Sequence, residues 1–438
     1  MTKFYLVTII LFISFAIVGV LMFAGFIPTP RGGNTNRDVV VLEAWGTLPE
    51  ASLDAPIRLF NEEARKKLKI EIRYAYVSGD DFELELLRSI AGGSAPDILL
   101  FPENLLLTIG DKLLPIPVES LSERSFKELF IEGAELFIDE RGPVALPLLV
   151  DPLVLYWNRD IFNNERIATV PKTWSELVSF ARLITEKDER GKIVRSAVAL
   201  GEGRNIQHVK EIISLLLLQA GDLIVKRGGS DGKIEVVLGR GGLSEGRTPA
   251  ESVLSYYSGF ADPVKPHNSW NSSFVNSFDS FAAGHVGIYF GPASDFGLLA
   301  RRNPHLNFAI EPVPQLEGTP KEVTFGTIYA VGVLDASKHK DDAFRAIYDL
   351  AIAENKYQLA LAEALSLPPA KRILLGGFDD PVLATFAKEA LIARSWLDPK
   401  PSETTTIFIT MAQGASSKIV TTAKAIENAV NQLGRLLK

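Results

Sequence analysis

Trp45 closes the β-branched run VVVLEAW, and Gly46-Thr47 opens a turn behind it. Open α/β sheets leave their ligand crevice at the carboxyl ends of their strands. Trp45 is therefore placed to meet a ligand, and so is Glu103, which follows the run ILLFP in the same way. Trp270 sits in the polar stretch HNSWNS, a costly position for a tryptophan unless its ring is covered. Phe325, in Phe325-Gly326-Thr327, and Trp396 extend the set. Flat aromatic faces beside carboxylates suit a ligand with apolar C–H faces and a rim of hydroxyls, which is the chemistry of a sugar. Each residue also has a packing reading: Trp45 against a neighbouring domain, Trp270 in a core, Phe325 and Trp396 between helices. Trp157 and Trp174 lie in apolar contexts and read as core.

The composition removes several other chemistries. The chain has no cysteine, which excludes disulfides, thiol catalysis, cysteine-held zinc or iron–sulfur, and a lipid attached through cysteine. Its five histidines are far apart, with no H-x-x-H or H-E-x-x-H spacing, so neither a histidine-built metal site nor any cofactor is expected. A net charge of −7 with no basic block argues against a nucleic-acid partner. Gly228–Gly232 fits G-x-S-x-G, but a strand rather than a helix follows it, so it reads as a hairpin turn. Gly241–Thr248 approaches a phosphate-binding loop with Arg247 in the lysine's place. Pro249 then removes an N–H from the first helical turn, and a surface loop feeding a capped helix is the better reading.

At 438 residues the chain exceeds what one hydrophobic core usually organises. Val39–Trp45 reads as a buried strand. A helix follows, with Leu53, Ile57, Phe60, Ala64 and Leu68 on one face; then come the strand Ile70–Tyr76, the helix Asp81–Ala91 and the strand Ile98–Phe101. That order argues for an α/β layer with helices on the sheet. A second body begins near Pro147. Thr173–Glu176 and Thr248–Glu251 are capping boxes, Ile206–Ala220 is a helix and Leu223–Leu238 a hairpin. The helix Phe274–Gly284 leads into the strand Val286–Phe290; strands Leu306–Val313 and Val323–Leu334 follow, and the remainder is almost entirely helical.

Phe4–Phe26 is an uncharged run of 23 residues, long enough at about 1.5 Å per residue to span a bilayer core of roughly 30 Å. Ala24-Gly25-Phe26 is a poor cleavage site, so an uncleaved transmembrane anchor is preferred to a cleaved secretion signal. Residues 27–38, rich in Pro, Gly and Asn, read as a flexible tether. The body is then expected outside the cytoplasmic membrane, or secreted or periplasmic if the run is cleaved.

Three segments in order resemble bacterial extracellular solute-binding proteins, the family that includes maltose-binding protein. Ala145–Phe162, ALPLLVDPLVLYWNRDIF, is similar to the family's crossover segment, and Val170–Leu177, VPKTWSEL, to its P-x-T-W-x-E-L. Phe278–Pro292, FDSFAAGHVGIYFGP, is similar to its helix-to-strand element, and Ala95–Ile98, APDI, leads into the third strand as in the family.

The resemblance implies a two-lobed periplasmic-binding-protein-like fold (type II) and ligand capture by hinge closure. By that analogy 39–146 with 283–330 forms lobe one, and 147–282 with 331–438 forms lobe two. It also places Asp151 where relatives carry an acidic sugar-contacting residue, and Tyr289 and Gly291 on the cleft strand; Asp151 otherwise caps a turn before Pro152. Two departures stand out. Phe26 occupies the place of the lipidated cysteine, and Ala293-Ser294 follows Gly291-Pro292 where maltose-binding relatives carry a tryptophan.

The expected function is that of a non-enzymatic binding component of an ABC importer. It takes a mono- or oligosaccharide, docks on permease subunits and is held at the membrane by its N-terminal helix. An envelope glycoside hydrolase is the alternative, using Asp151 and Glu103 if their carboxyls lie about 5–10 Å apart. A ligand-sensing module for a membrane receptor is another.

Overall fold

The computed structural model describes residues 38–437 apart from 229–231, 243, 245 and 320. The anchor expected at 4–26 and all of the tether but Asp38 lie outside them. Among the described residues no helix is long and apolar enough to cross a membrane.

Three parallel strands open the body. Val40–Gly46 lies between Ile70–Tyr76 and Ile98–Pro102, with Val40 opposite Ile70 and Ala44 opposite Ile98. Parallel neighbours need a crossover, and the helices Glu50–Lys67 and Phe82–Ala91 supply it. Leu53, Phe60 and Ala64 face the core as their spacing predicts.

The strand Leu146–Asn158 then runs through both halves of the sheet. Its first part pairs antiparallel with Thr324–Val333, from Leu146 opposite Val331 to Pro152 opposite Gly326. Its second part pairs with Val286–Pro292, from Leu153 opposite Pro292 to Trp157 opposite Ile288, and on its other side with Phe308–Glu311. The near-continuous apolar sequence LPLLVDPLVLYWN is what a strand covered on both faces requires, and all of it except half-buried Trp157 is buried. Pro147 lacks an N–H for the ladder and falls where the register shifts between Tyr329 and Ala330. Thr324–Val333 also pairs with Ile98–Pro102, and Ile193–Val198 extends the far side beside Val286–Pro292. These pairings and short edge strands make one sheet of ten strands among the described residues.

Helices cover the two halves separately. Asn355–Leu365 packs on Glu50–Lys67, and Lys340–Tyr348 on Thr324–Val333 and Val40–Gly46. On the other half, Val209–Gln219, Pro249–Gly259, Pro401–Ser416 and Thr422–Leu436 pack among themselves, and Trp174–Ile184 lies on Ile193–Val198. The strand Val286–Pro292 thus lies with residues assigned above to lobe two. The helices of 340–365 lie with residues assigned to lobe one. Strand pairing decides the first placement and an apolar helix–helix seam the second.

Local signals held unevenly. Thr248 and Glu251 form the complete capping box. At 173–176 Thr173 accepts from the Glu176 N–H, but Glu176 takes the N–H of Lys172 instead of that of Thr173. The helix expected over Phe274–Gly284 shortens to Ser277–Ala282, because Asn276 caps it and Phe274 stacks on Trp270 beforehand. Val225–Arg227 and Ile234–Val236 pair antiparallel on either side of the G-x-S-x-G stretch, as a hairpin.

Candidate functional site

The three parallel strands end together. Thr47 after the first, Asp80 after the second, and Pro102 and Asn104 at the third line a cavity of about 340 Å³. Its opposite wall is Lys400–Glu403, the approach and first turn of the helix Pro401–Ser416. Gly46 is required here, because a Cβ would stand 2.5 Å from the Leu100 carbonyl oxygen and 2.8 Å from the Tyr74 hydroxyl. The lining is mixed, with hydroxyls, an amide, carboxylates and one ammonium beside Pro102, Leu105 and Pro401. Trp45 is half-buried in the strand beneath, paired with Ala75 and Leu99.

Glu103 turns inward from the same strand end. Its Oε2 accepts from the Ile328 N–H at 2.7 Å and its Oε1 from the Ser395 hydroxyl at 2.5 Å. Burial pushes its carboxyl up to about 7, against the pull of those two bonds and of Lys210. It therefore ties the third strand to two later segments, Thr324–Val333 and the 393–398 stretch.

Asp151 lies on the crossing strand opposite Thr327, where pairing passes from one half-sheet to the other. Its Oδ1 accepts from the Ser294 N–H at 2.9 Å. Burial, with the nearby Asp295 charge adding to it, raises its carboxyl to about 6 against the Ser294 bonds and the His208 charge. Asp295 in turn receives the Tyr289 hydroxyl at 2.6 Å and meets His208 Nε2 at 2.9 Å. Burial, the largest single influence, would lower the His208 pKa, but the hydrogen bond to Asp295 and the charges of Asp295, Glu211 and Asp151 together outweigh it and raise it. Burial, and then the Asp295 charge, raise the Tyr289 phenol. Gly291 leaves room for this cluster: a Cβ would sit 2.5 Å from the Tyr289 ring and 2.7 Å from Asp295 Oδ2.

Trp396 lies elsewhere, lining a second cavity of about 320 Å³ with Glu132, Leu223, Arg227 and Arg394. Its Nε1 donates to the Ser214 hydroxyl, and its ring stacks on Phe408. Phe325 is buried and pairs with Arg394 in the sheet. Trp270 is fully buried; its ring stacks on Phe274 at 4.2 Å and its Nε1 donates to Asn205 Oδ1. The structure thus brings together Asp151, Tyr289 and Gly291, sets Trp45 and Glu103 beside the strand-end cavity, and encloses Trp270 apart from both.

Several residues of the site were not anticipated. Thr47, Asp80 and Asn104 follow from the same strand-end argument carried a residue or more further along. Pro401, at the first position of its helix, marks the opposite wall. His208 with Asp295, and the buried pair Lys210–Asp398 at 2.9 Å, join residues 87 and 188 positions apart and leave no local signal.

Residues 46–347 match the profile of the family described as bacterial extracellular solute-binding protein. No curated protein matches the chain by sequence. Many solved structures share its fold, three of which illustrate the likeness. A cyclo/maltodextrin-binding protein complexed with maltotetraose superimposes with a TM-score of 0.72 at 17% identity, covering 92% of this chain and 98% of its own. A cyclic α-maltosyl-1,6-maltose-binding protein from Arthrobacter globiformis gives 0.71 at 18%, covering 91% and 99%. The GacH receptor of Streptomyces glaucescens, solved unliganded and with acarbose, gives 0.66 at 17%, covering 91% and 98%. At these identities the likeness establishes a two-lobed mixed α/β fold.

Proposed function

The chain belongs to the bacterial extracellular solute-binding proteins, and on that footing we propose that its body captures a carbohydrate between two lobes and delivers it to the permease of an ABC transporter. The observation that carries the ligand site is the cavity where three parallel strands end, facing Lys400–Glu403. Its carboxylates, amide and ammonium offer acceptors and donors for sugar hydroxyls. Similar folds hold maltotetraose and acarbose in the solved relatives, which supports a saccharide as the ligand class.

In this reading Thr47, Asp80, Asn104 and Lys400 contact the ligand, with Trp45 behind them. Glu103, Asp151, Tyr289 and Gly291 form the floor, where the crossing strands pass. Phe325, beside the crossing strand, borders that floor, whereas Trp270 and Trp396 pack apart from it. Lobe one comprises the first three strands with the helices of 340–365; lobe two comprises the second half-sheet with the helices of 401–436. The strands Leu146–Asn158 and Thr324–Val333 and the 393–398 stretch connect them and serve as the hinge. Phe4–Phe26 holds the extracytoplasmic body at its membrane. Binding rather than turnover is the activity, in keeping with the family.

A thermal-shift screen against mono- and oligosaccharides, followed by calorimetric titration, tests this. A cognate sugar raises Tm, the stabilisation growing with the logarithm of its concentration over Kd once it is in excess. Asn104→Ala and Lys400→Ala each weaken binding about fivefold or more, at roughly 1 kcal/mol per lost hydrogen bond. A panel in which no saccharide stabilises the protein would reject the ligand class. Unchanged affinity in both variants would reject the cavity.

A further inference from the structure

We propose that Asp151, Asp295 and His208 act as one electrostatic unit that ties the strand crossing to the segment leaving Val286–Pro292, and that proton uptake by Asp151 loosens the tie. The position of Asp151 carries the argument. Pro152, its neighbour, is the last residue of the crossing strand paired with Thr324–Val333, and Leu153 is the first paired with Val286–Pro292. The Ser294 N–H donates to Asp151 at this changeover, beside a backbone bond from Ala293 to the Pro152 carbonyl at 2.9 Å. The next residue, Asp295, is held by His208 from the start of another helix and by Tyr289 from the strand itself. Three elements therefore meet on two neighbouring carboxyls and one imidazole.

The groups facing this unit are few. Tyr156, on the crossing strand, donates to the Pro292 carbonyl. Tyr329, on Thr324–Val333, feels both Asp151 and Glu103. Glu211, on the His208 helix, acts on His208 and Tyr289. Among the described residues, the side chains that act most strongly on these groups include no cation besides the imidazole. As pH falls, Asp151, raised by burial to about 6, takes up a proton beside His208, whose own pKa, against the opposing effect of burial, is raised chiefly by its hydrogen bond to Asp295. A hydrogen bond to a carboxylate is roughly twice as strong as one to a neutral acceptor, so protonating Asp151 weakens the hold on Ser294. This goes beyond the proposed function, and it makes solute capture responsive to acidification if the crossing is the hinge proposed above.

Amide hydrogen exchange on the ligand-free, full-length chain tests it, with rates corrected for their intrinsic pH dependence. Protection of Ser294 should fall about fivefold relative to Ile98–Pro102 between pH 8 and pH 5. Asp151→Asn keeps the acceptor oxygen and the size of the side chain; it should hold the lower protection at every pH. His208→Gln removes the cation that favours ionised Asp151 and should move the midpoint to higher pH. Flat protection in the unaltered chain, an unchanged transition in Asp151→Asn, or a transition abolished by Glu103→Gln instead would each overturn the proposal. No sugar enters the measurement, so a failure of sugar binding leaves its outcome readable.

Discussion

Lys210 and Asp398 are buried as a pair, whereas Glu389 is buried with no cation in hydrogen-bond contact. The Lys210 ammonium donates to Asp398 at 2.9 Å and to the Pro401 carbonyl, and Thr404 donates to the same carboxylate. Glu389 accepts a long bond from the Val313 N–H, at 3.3 Å, and its Oε1 is left without a close hydrogen-bond donor among the described residues. Burial accordingly drives the Glu389 carboxyl up to about 8. Where the fold buries a carboxyl with no counter-charge, a proton takes the counter-charge's place. The buried pair fixes the approach to the helix that walls the strand-end cavity. Glu389 lies on the helix Pro381–Ile392, which packs on the crossing strands.

Breaking the pair gives the largest effect. Lys210→Met leaves Asp398 charged and buried, and should cost about 3–5 kcal/mol in urea denaturation. The double variant Lys210→Met/Asp398→Leu removes both charges and should recover most of that loss, since a buried pair is often replaceable by apolar groups. If the single and double variants were equally unstable, packing rather than charge would be the cause.

The next test concerns the cluster between these extremes, where Asp295 is satisfied by a phenol and an imidazole rather than an ammonium. Gly291→Ala inserts a methyl 2.5 Å from the Tyr289 ring and 2.7 Å from Asp295 Oδ2. Overpacking of this kind should cost about 1–3 kcal/mol, read as a lower midpoint in denaturant. A neutral result would mean that the cluster yields more easily than the paired site does.

The comparison also bears on what the sequence reveals. Periodicity placed the first three strands and their helices within a residue or two, because each element's apolar face is encoded locally. The long crossing strand was equally visible as an apolar run. Trp270 was different. Its polar neighbours suggested exposure, yet Ser269 serves the buried Val198 N–H and Asn268 serves the Phe260 carbonyl, so they satisfy core backbone. Polar residues that serve buried backbone look the same in sequence as polar residues facing water. Lys210 sits beside Glu211 at the start of an apolar helix, and its partner lies 188 residues away, beyond any local pattern. Asp151 and Glu103 were singled out by resemblance and by strand-end position, but their N–H donors are distant in sequence: Ser294 precedes the helix Asp295–Arg302, and Ile328 lies in Thr324–Val333.

Glu389 sharpens the unpaired side of the comparison through pH. Its folded-state pKa, about 8, lies above the ordinary 4.5, so the stability it contributes is complete below about 4.5 and is lost as pH rises towards 8. The slope from this one group cannot exceed about 1.4 kcal/mol per pH unit. Glu389→Gln should flatten that slope, so that its stability relative to the unaltered chain improves steadily between pH 5 and pH 8. Parallel curves for the two proteins would show that water or a rearranged side chain already solvates the carboxylate.

The smallest expected effect on stability belongs to Lys400, a few residues from the buried pair but exposed. Its ammonium meets Glu403 at 3.2 Å with both side chains about half exposed to solvent. An exposed pair three residues apart contributes little, so Lys400→Ala should change unfolding free energy by no more than about 0.5 kcal/mol. The contrast with Lys210→Met then isolates burial, since each lysine faces a carboxylate at comparable distance. The same variant is predicted above to weaken sugar binding, and in this pairing of small stability loss with reduced affinity lies its use. A residue that holds the fold loses both together. A residue that lines the cleft and little else loses affinity alone, and Lys400→Ala with intact Tm and intact affinity would remove this wall from the proposed site.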